Sequence, residues 1–146
     1  MFFFGTFFHN LDDKSRCTLP ARFREALGSH VFVTKGFDHC LSLYPEVTFM
    51  EMVKQNAALN ELSPTERQYR RMFFASSSDY DIDKAGRITL SKDHLLKAGI
   101  SKEVVLVGNN DHIEIWDKST YEKVYEEQEQ LFEENAKSIA ESRLKE

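Results

Sequence analysis

Apolar and polar positions alternate along two stretches of the chain, and each stretch runs on into a short helical pattern and then a hairpin. In the first, Met1–Asn10 reads as an apolar strand with a bend or bulge at Gly5, and Cys17–Leu19 as a second strand beyond a polar turn. Pro20 opens a short helix where a missing N–H costs nothing; Phe23, Ala26 and Leu27 supply its buried face, and Gly28 closes it. Val31–Thr34 and Cys40–Tyr44 are β-rich runs joined by Gly36-Phe37-Asp38-His39, a hairpin signal. The second stretch retraces this path. Ser91 is the N-cap of a short helix over His94–Ala98, with Gly99 as its C-cap. Val104–Val107 is a buried strand, Gly108–Asp111 a turn and His112–Trp116 the closing strand.

Helical spacing fills the rest. Glu46–Asn60 places Val47, Phe49, Met50, Val53 and Ala57 on one face. Ser63-Pro64-Thr65-Glu66 is a capping box with Pro at the first helical position, and that helix runs to about Ala75. Its Arg67, Arg70 and Arg71 read as a solvated face or as partners for acids of a neighbouring chain, in preference to DNA contacts. After Trp116, Asp117 can cap a final helix that frays from about Glu141. Its seam, Tyr121, Val124, Tyr125, Gln128, Leu131, Phe132, Asn135 and Ile139, carries polar interruptions suited to a helix–helix contact between subunits.

The two stretches share a motif. Leu11-Asp12-Asp13-Lys14-Ser15-Arg16-Cys17-Thr18-Leu19 returns 71 residues later as Ile82-Asp83-Lys84-Ala85-Gly86-Arg87-Ile88-Thr89-Leu90, the mark of a duplicated unit. Each copy puts a lysine and an arginine beside an aspartate at a strand reversal: Lys14, Arg16 and Asp12, then Lys84, Arg87 and Asp83. Such a turn can be a structural Asp–Arg lock, or a basic tip for phosphate and base edges with Arg22 and Arg24 nearby on the first short helix. Two copies shift the balance toward a paired binding surface.

Composition changes the picture in two ways. At 146 residues the chain holds one ordinary domain or two small interlocked ones, and 41% hydrophobic content suffices for a core. The net charge of −5, with eight acidic against five basic residues in 118–146, means that DNA binding must come from local patches repeated by oligomerisation. The Phe-rich start lacks the features of a secretory signal, and no stretch is long and apolar enough to span a bilayer. Cys17 and Cys40 form neither a metal spacing nor a disulfide framework, which fits a reducing cytoplasm. No phosphate loop, nucleophile elbow or paired-His zinc signature is present, and His39, Cys40 and His112 make at best a remote metal set. Arg and Lys beside Asp12 and Asp83 would depress their pKa, the wrong direction for a general base. No enzyme, cofactor or metal is expected.

Specific runs of residues carry a family resemblance: Asn10-Leu11-Asp12-x-Lys14-x-Arg16, Leu19-Pro20-Ala21-Arg22-Phe23-Arg24, Gly36-Phe37-Asp38-x-Cys40-Leu41-x-Leu43-Tyr44-Pro45, Arg70-x-x-Phe73-Phe74-Ala75, Asp83-x-x-Gly86-Arg87, Lys102–Gly108 and Asp111–Trp116. Over nearly its whole length the chain resembles the MraZ family of bacterial transcription factors, linked to the division and cell-wall gene cluster, within the wider AbrB-like group. The resemblance implies an α+β, mainly β fold: a swapped-hairpin (double-split) AbrB-like β-barrel of two tandem repeats, with intervening helices and a C-terminal helix. It places a first repeat at 1–47, a linking helical segment at 48–76, a second repeat at 77–117 and an oligomerisation arm at 118–146. It also implies a cytoplasmic, nucleoid-associated homo-oligomeric ring that binds double-stranded promoter DNA at repeated elements. By position, DNA contact falls on Lys14, Arg16, Arg22, Arg24, Lys84 and Arg87, with Asp12 and Asp83 orienting the loops; no membrane or small-molecule partner is implied. The chain departs from the family pattern at Phe3 and Phe4, where an arginine is usual. It departs again at Ser15, usually glycine, and at Ser91, usually proline, and the second copy lacks counterparts of Arg22 and Arg24.

Overall fold

The computed structural model describes residues 2–145. Its elements run β1 (Thr6–Asn10), β2 (Arg16–Thr18), α1 (Ala21–Leu27), β3 (His30–Lys35), β4 (Leu41–Pro45), α2 (Glu46–Ala57), α3 (Pro64–Ala75), β5 (Ser78–Asp81), β6 (Arg87–Thr89), α4 (Lys92–Lys97), β7 (Glu103–Asn109), β8 (His112–Asp117) and α5 (Lys118–Leu144). The fold is α+β, mainly sheet, with two copies of one unit and a C-terminal helix.

Six strands form one antiparallel sheet in the order β1-β7-β8-β4-β3-β5, and β2 pairs with β6 in a separate two-stranded ladder. The order is symmetric about β4–β8, where the two copies meet. Only β3–β4 and β7–β8 pair within one copy; β1–β7, β3–β5, β4–β8 and β2–β6 all cross between copies. Each copy therefore gives its first strand to the other's hairpin. The outermost strands, β1 and β5, lie at opposite ends of the order, and no pairing between them closes the sheet.

Period-2 alternation gives the sheet two buried faces. Val31, Val33, Leu41, Leu43, Val104, Leu106, Ile113 and Ile115 join Cys17, Leu19 and Ile88 of the ladder in the main core. Phe23 of α1 enters it with edge-on contacts to Phe3 and Phe7, ring centroids 5.4 and 5.1 Å away. Residues on the opposite parity meet the long helices. Phe32 and Tyr44 pack on Phe49 and Phe73 of α2 and α3, and Val105 and Trp116 pack beside Tyr121 and Val124 of α5. Burying each large side chain contributes about 1.5–3 kcal/mol, so both helix attachments rest chiefly on these aromatics.

Several sequence expectations shift. Pro20 stands just before α1 and not in its first turn, its carbonyl accepting from the N–H groups of Phe23 and Arg24. α2 stops at Ala57 instead of Asn60, and its inward residues are Phe49, Met52, Val53 and Asn56; Val47 and Met50 are exposed. Asp117 does not cap α5 with its side chain, which accepts from the Ser101 N–H and the Ser119 hydroxyl. The capping box forms as read, Ser63 accepting from the Glu66 N–H, and Ser91 accepts likewise from His94. Gly5 takes φ +93 and bends the chain, so that Phe3 bridges to Asn110 before β1 begins. No helix among the described residues is long and apolar enough to cross a membrane.

Candidate nucleic-acid interface

The two motif turns have the same internal wiring. Asp12 Oδ1 accepts from the N–H groups of Lys14 and Arg16, both at 2.9 Å, and its Oδ2 meets Arg16 Nε at 2.5 Å. Asp83 Oδ1 accepts from the N–H groups of Ala85 and Arg87, both at 2.9 Å, and Oδ2 meets Arg87 Nε at 2.9 Å. In each turn the aspartate closes a local loop by bonding backbone two and four residues on. The backbone reverses through a left-handed residue: Ser15 at φ +59 and Gly86 at φ +79. Ser15 thus adopts the conformation that glycine takes in the other copy, at a steric cost that glycine avoids.

The β2–β6 ladder brings the turns together. Arg16 faces Thr89 and Thr18 faces Arg87 in register, and the ladder is extended by the Leu19 N–H donating to Gly86 and the Leu90 N–H to Ser15. Arg87 Nη1 consequently lies 4.0 Å from Asp12 Oδ2, an ion pair between copies. Lys14 and Lys84 stand exposed at the tips, while Arg16 and Arg87 are half-buried beside their aspartates. The bonds from the Arg16 N–H, then its guanidinium and the Lys14 N–H, hold the Asp12 carboxyl below its usual range; the Arg87 N–H leads the same effect at Asp83. Both carboxylates are therefore ionised at neutral pH and serve as acceptors.

The α1 arginines separate. Arg24 donates from Nε to the Leu19 carbonyl at 2.8 Å and lies against Gly86, where an added Cβ would come within 2.2 Å of its guanidinium carbon. It is part of the paired-turn surface and braces it from the first copy. Arg22 instead lies over the Phe4 ring, 4.6 Å from the centroid, at the Phe-rich start.

The motif alone did not disclose one positioning residue, His94. Fully buried in α4, it bonds the Tyr80 hydroxyl through Nδ1 at 2.7 Å and the Ser76 carbonyl through Nε2 at 2.7 Å. Tyr80 accepts in turn from the Ser91 N–H, tying the strand before the second turn to the helix after it. These partners lie 14 and 18 residues from His94 and share no local pattern with it. No cluster of three or more His, Cys, Asp or Glu residues suited to a metal occurs among the described residues. Burial pushes the Cys40 thiol up to about 12, so it stays protonated.

The MraZ protein family model matches the chain twice, over residues 2–72 and 73–142, one match for each copy of the unit. The transcriptional regulator MraZ of Corynebacterium kroppenstedtii is 42% identical over 130 residues, 89% of this chain and 91% of that protein. The proteins of the same name from Corynebacterium diphtheriae and Rhodococcus opacus are 44% and 42% identical over the same shares.

Proposed function

Because the chain belongs to the MraZ family, whose similar members are named transcriptional regulators, we propose that it is a sequence-specific DNA-binding transcription regulator and not an enzyme. Its interface is the paired Asp-x-x-x-Arg turns, and the observation that carries this reading is their juxtaposition in matching geometry across β2–β6. In each turn the aspartate engages guanidinium Nε, which leaves the terminal nitrogens of Arg16 as a fixed fork and turns Arg87 the same way, although its Nη1 also lies 4.0 Å from Asp12. Such a fork suits guanine O6 and N7 in the major groove, while Lys14 and Lys84 suit phosphates. Arg24 steadies the surface, while Arg22 lies over the Phe4 ring.

One chain offers few cations and carries net negative charge, so the working form is a homo-oligomer engaging repeated promoter elements, a ring if it follows the family resemblance. The family resemblance points to the promoter of the division and cell-wall gene cluster, to a cytoplasmic, nucleoid-associated location, and to the AbrB-like swapped-hairpin barrel as the frame. The exchanged pairing of β1 with β7 and β5 with β3 supports that frame. The rival reading, a ring-forming scaffold, takes the Asp–Arg bonds as purely structural locks.

A gel shift with that promoter separates the two. Arg16→Ala and Arg87→Ala should each weaken specific binding by about 1–3 kcal/mol, roughly 5- to 150-fold, with little change in thermal stability. Unaltered affinity in both variants, or no binding by the wild-type chain, would favour the scaffold.

A further inference from the structure

α5 is about 40 Å long, yet only its first turns are held by the sheet. Every residue from Tyr125 to Lys145 is exposed, including Leu131, Phe132 and Ile139, at 45%, 73% and 54%. Most helix stability in a protein comes from packing an apolar face, and an apolar row along this helix is a cost until something covers it. Glu122, Glu126, Glu129 and Glu133 recur at spacings of three and four and border that row on the Tyr125–Phe132 side.

The outer face of α3 is the complement. Arg67, Arg70, Arg71 and Phe74 share one stripe at i, i+3, i+4 and i+7 and line an open groove with Glu61. Glu61 takes part of this charge: Arg70 Nη1 pairs with its carboxylate at 2.5 Å and Arg67 Nη1 donates to its carbonyl at 2.9 Å. Arg71 is exposed and has no ion pair among the described residues. The stripe therefore keeps a positive surplus beside a partly exposed aromatic ring.

We propose that the glutamate-bordered apolar row of α5 docks on the arginine–Phe74 stripe of α3 in a second copy of this chain. The proposal rests on the ring reading above and names the surfaces that build the ring. Charge selects the occupant. Pairing α5 with α5 would set glutamate rows against each other in a segment already carrying eight acids and five bases, whereas α3 meets them with opposite charge. The contact uses two different surfaces, so it leaves one of each unfilled on every added chain and propagates until a ring closes.

Sedimentation of the full-length chain tests it by charge exchange. Arg67→Glu with Arg71→Glu should raise the concentration needed for assembly roughly tenfold or more, and Glu129→Arg with Glu133→Arg should do the same. Combining all four changes should restore assembly, and a thermal melt of each variant reports folding. A monomeric wild-type chain overturns both the ring reading and this contact. An oligomeric wild type whose assembly ignores the α3 reversal overturns this contact alone, and so does failure of the fourfold variant to recover while it remains folded. Loss of DNA binding with intact assembly would assign the α3 arginines to DNA and likewise overturn it.

Discussion

Gly86→Ala should destabilise the protein far more than an ordinary glycine substitution, because the added Cβ displaces a residue from the other copy. Gly86 sits at φ +79, a conformation that costs an L-residue about 1–2 kcal/mol, partly offset by about 0.4–1 kcal/mol from a stiffer unfolded chain. The Cβ would lie 2.2 Å from both Cζ and Nε of Arg24. That side chain is flexible and can swing aside, so the overlap itself is cheap. What it abandons is not: the Leu19 carbonyl, on a fully buried residue, loses its 2.8 Å charged donor. Leaving a buried acceptor unpaired costs about 1–3 kcal/mol. The expected total is about 2–3 kcal/mol, a fall in Tm of roughly 5–10 °C for a chain of this size. Gly99→Ala is the control, since Gly99 has φ +61 but nothing within 4 Å of an added Cβ, and it should show the backbone cost alone. Thermal melts of Gly86→Ala, Arg24→Ala and the double variant form a cycle whose coupling should be about 1–2 kcal/mol. Equal losses at Gly86 and Gly99, or zero coupling with Arg24, would refute the reasoning.

Other outcomes follow from the same geometry. Truncation after Tyr125 keeps the Tyr121 and Val124 attachment and should leave the melting temperature nearly unchanged while reducing oligomer size; an intact assembly on sedimentation would place the subunit contacts elsewhere. His30 bridges Asp81 at 2.8 Å and Asp79 at 3.0 Å across β3–β5, and the Asp81 bond leads in raising its pKa above 6.5. A raised folded pKa contributes stability that is complete below about 6.5 and is lost as pH rises through the folded value, so His30→Gln should flatten the pH dependence of Tm on the alkaline side. Binding to DNA with several repeats spaced about 10–10.5 bp apart should exceed binding to a single repeat by roughly 10²–10⁴, and equal affinities would remove avidity from the account.

Much of this was legible in the sequence because the signals are local. The Asp-x-x-x-Arg turns, the Ser63 and Ser91 caps and the alternating strands depend on residues within a few positions of one another, and duplication let each copy check the other. Long-range facts were not legible. The β2–β6 ladder that sets Arg87 beside Asp12, and the reach of Arg24 to Gly86, join residues about 60–75 positions apart. Once the exchange of strands between copies is known, the separation of Arg22 from Arg24 follows. Two residues apart on a short helix, they point in different directions, one to Phe4 and one to the second turn. The buried face of α2 was misread for a related reason. Val47 and Met50 fit a helical stripe as well as Phe49 does, but it is Phe49 that meets the sheet's Phe32 and Tyr44 rings.

The same comparison of copies shows how one unit yields both a connector and an arm. An offset of 72 residues aligns α2 with the start of α5: Tyr44 with Trp116, Phe49 with Tyr121, and Met52 with Val124. All six lie in the two aromatic clusters on the helix face of the sheet, so both helices leave the sheet in equivalent ways. They diverge one turn later. After Ala57 the first copy places Asn60, Ser63 and Pro64; Asn60 folds back on Leu62 through its side chain, and Ser63 caps a new helix. The corresponding positions of α5 hold Phe132, Asn135 and Ala136, with neither proline nor a capping sequence to stop it. In the first copy the break turns the chain back toward β5 and lets Phe73 close the cluster around Phe49. In the second, the helix continues without a return partner and leaves its apolar row uncovered. The difference between a linker that seals its own core and a helix that leaves its apolar row exposed thus lies in a few breaking residues, not in a separate fold.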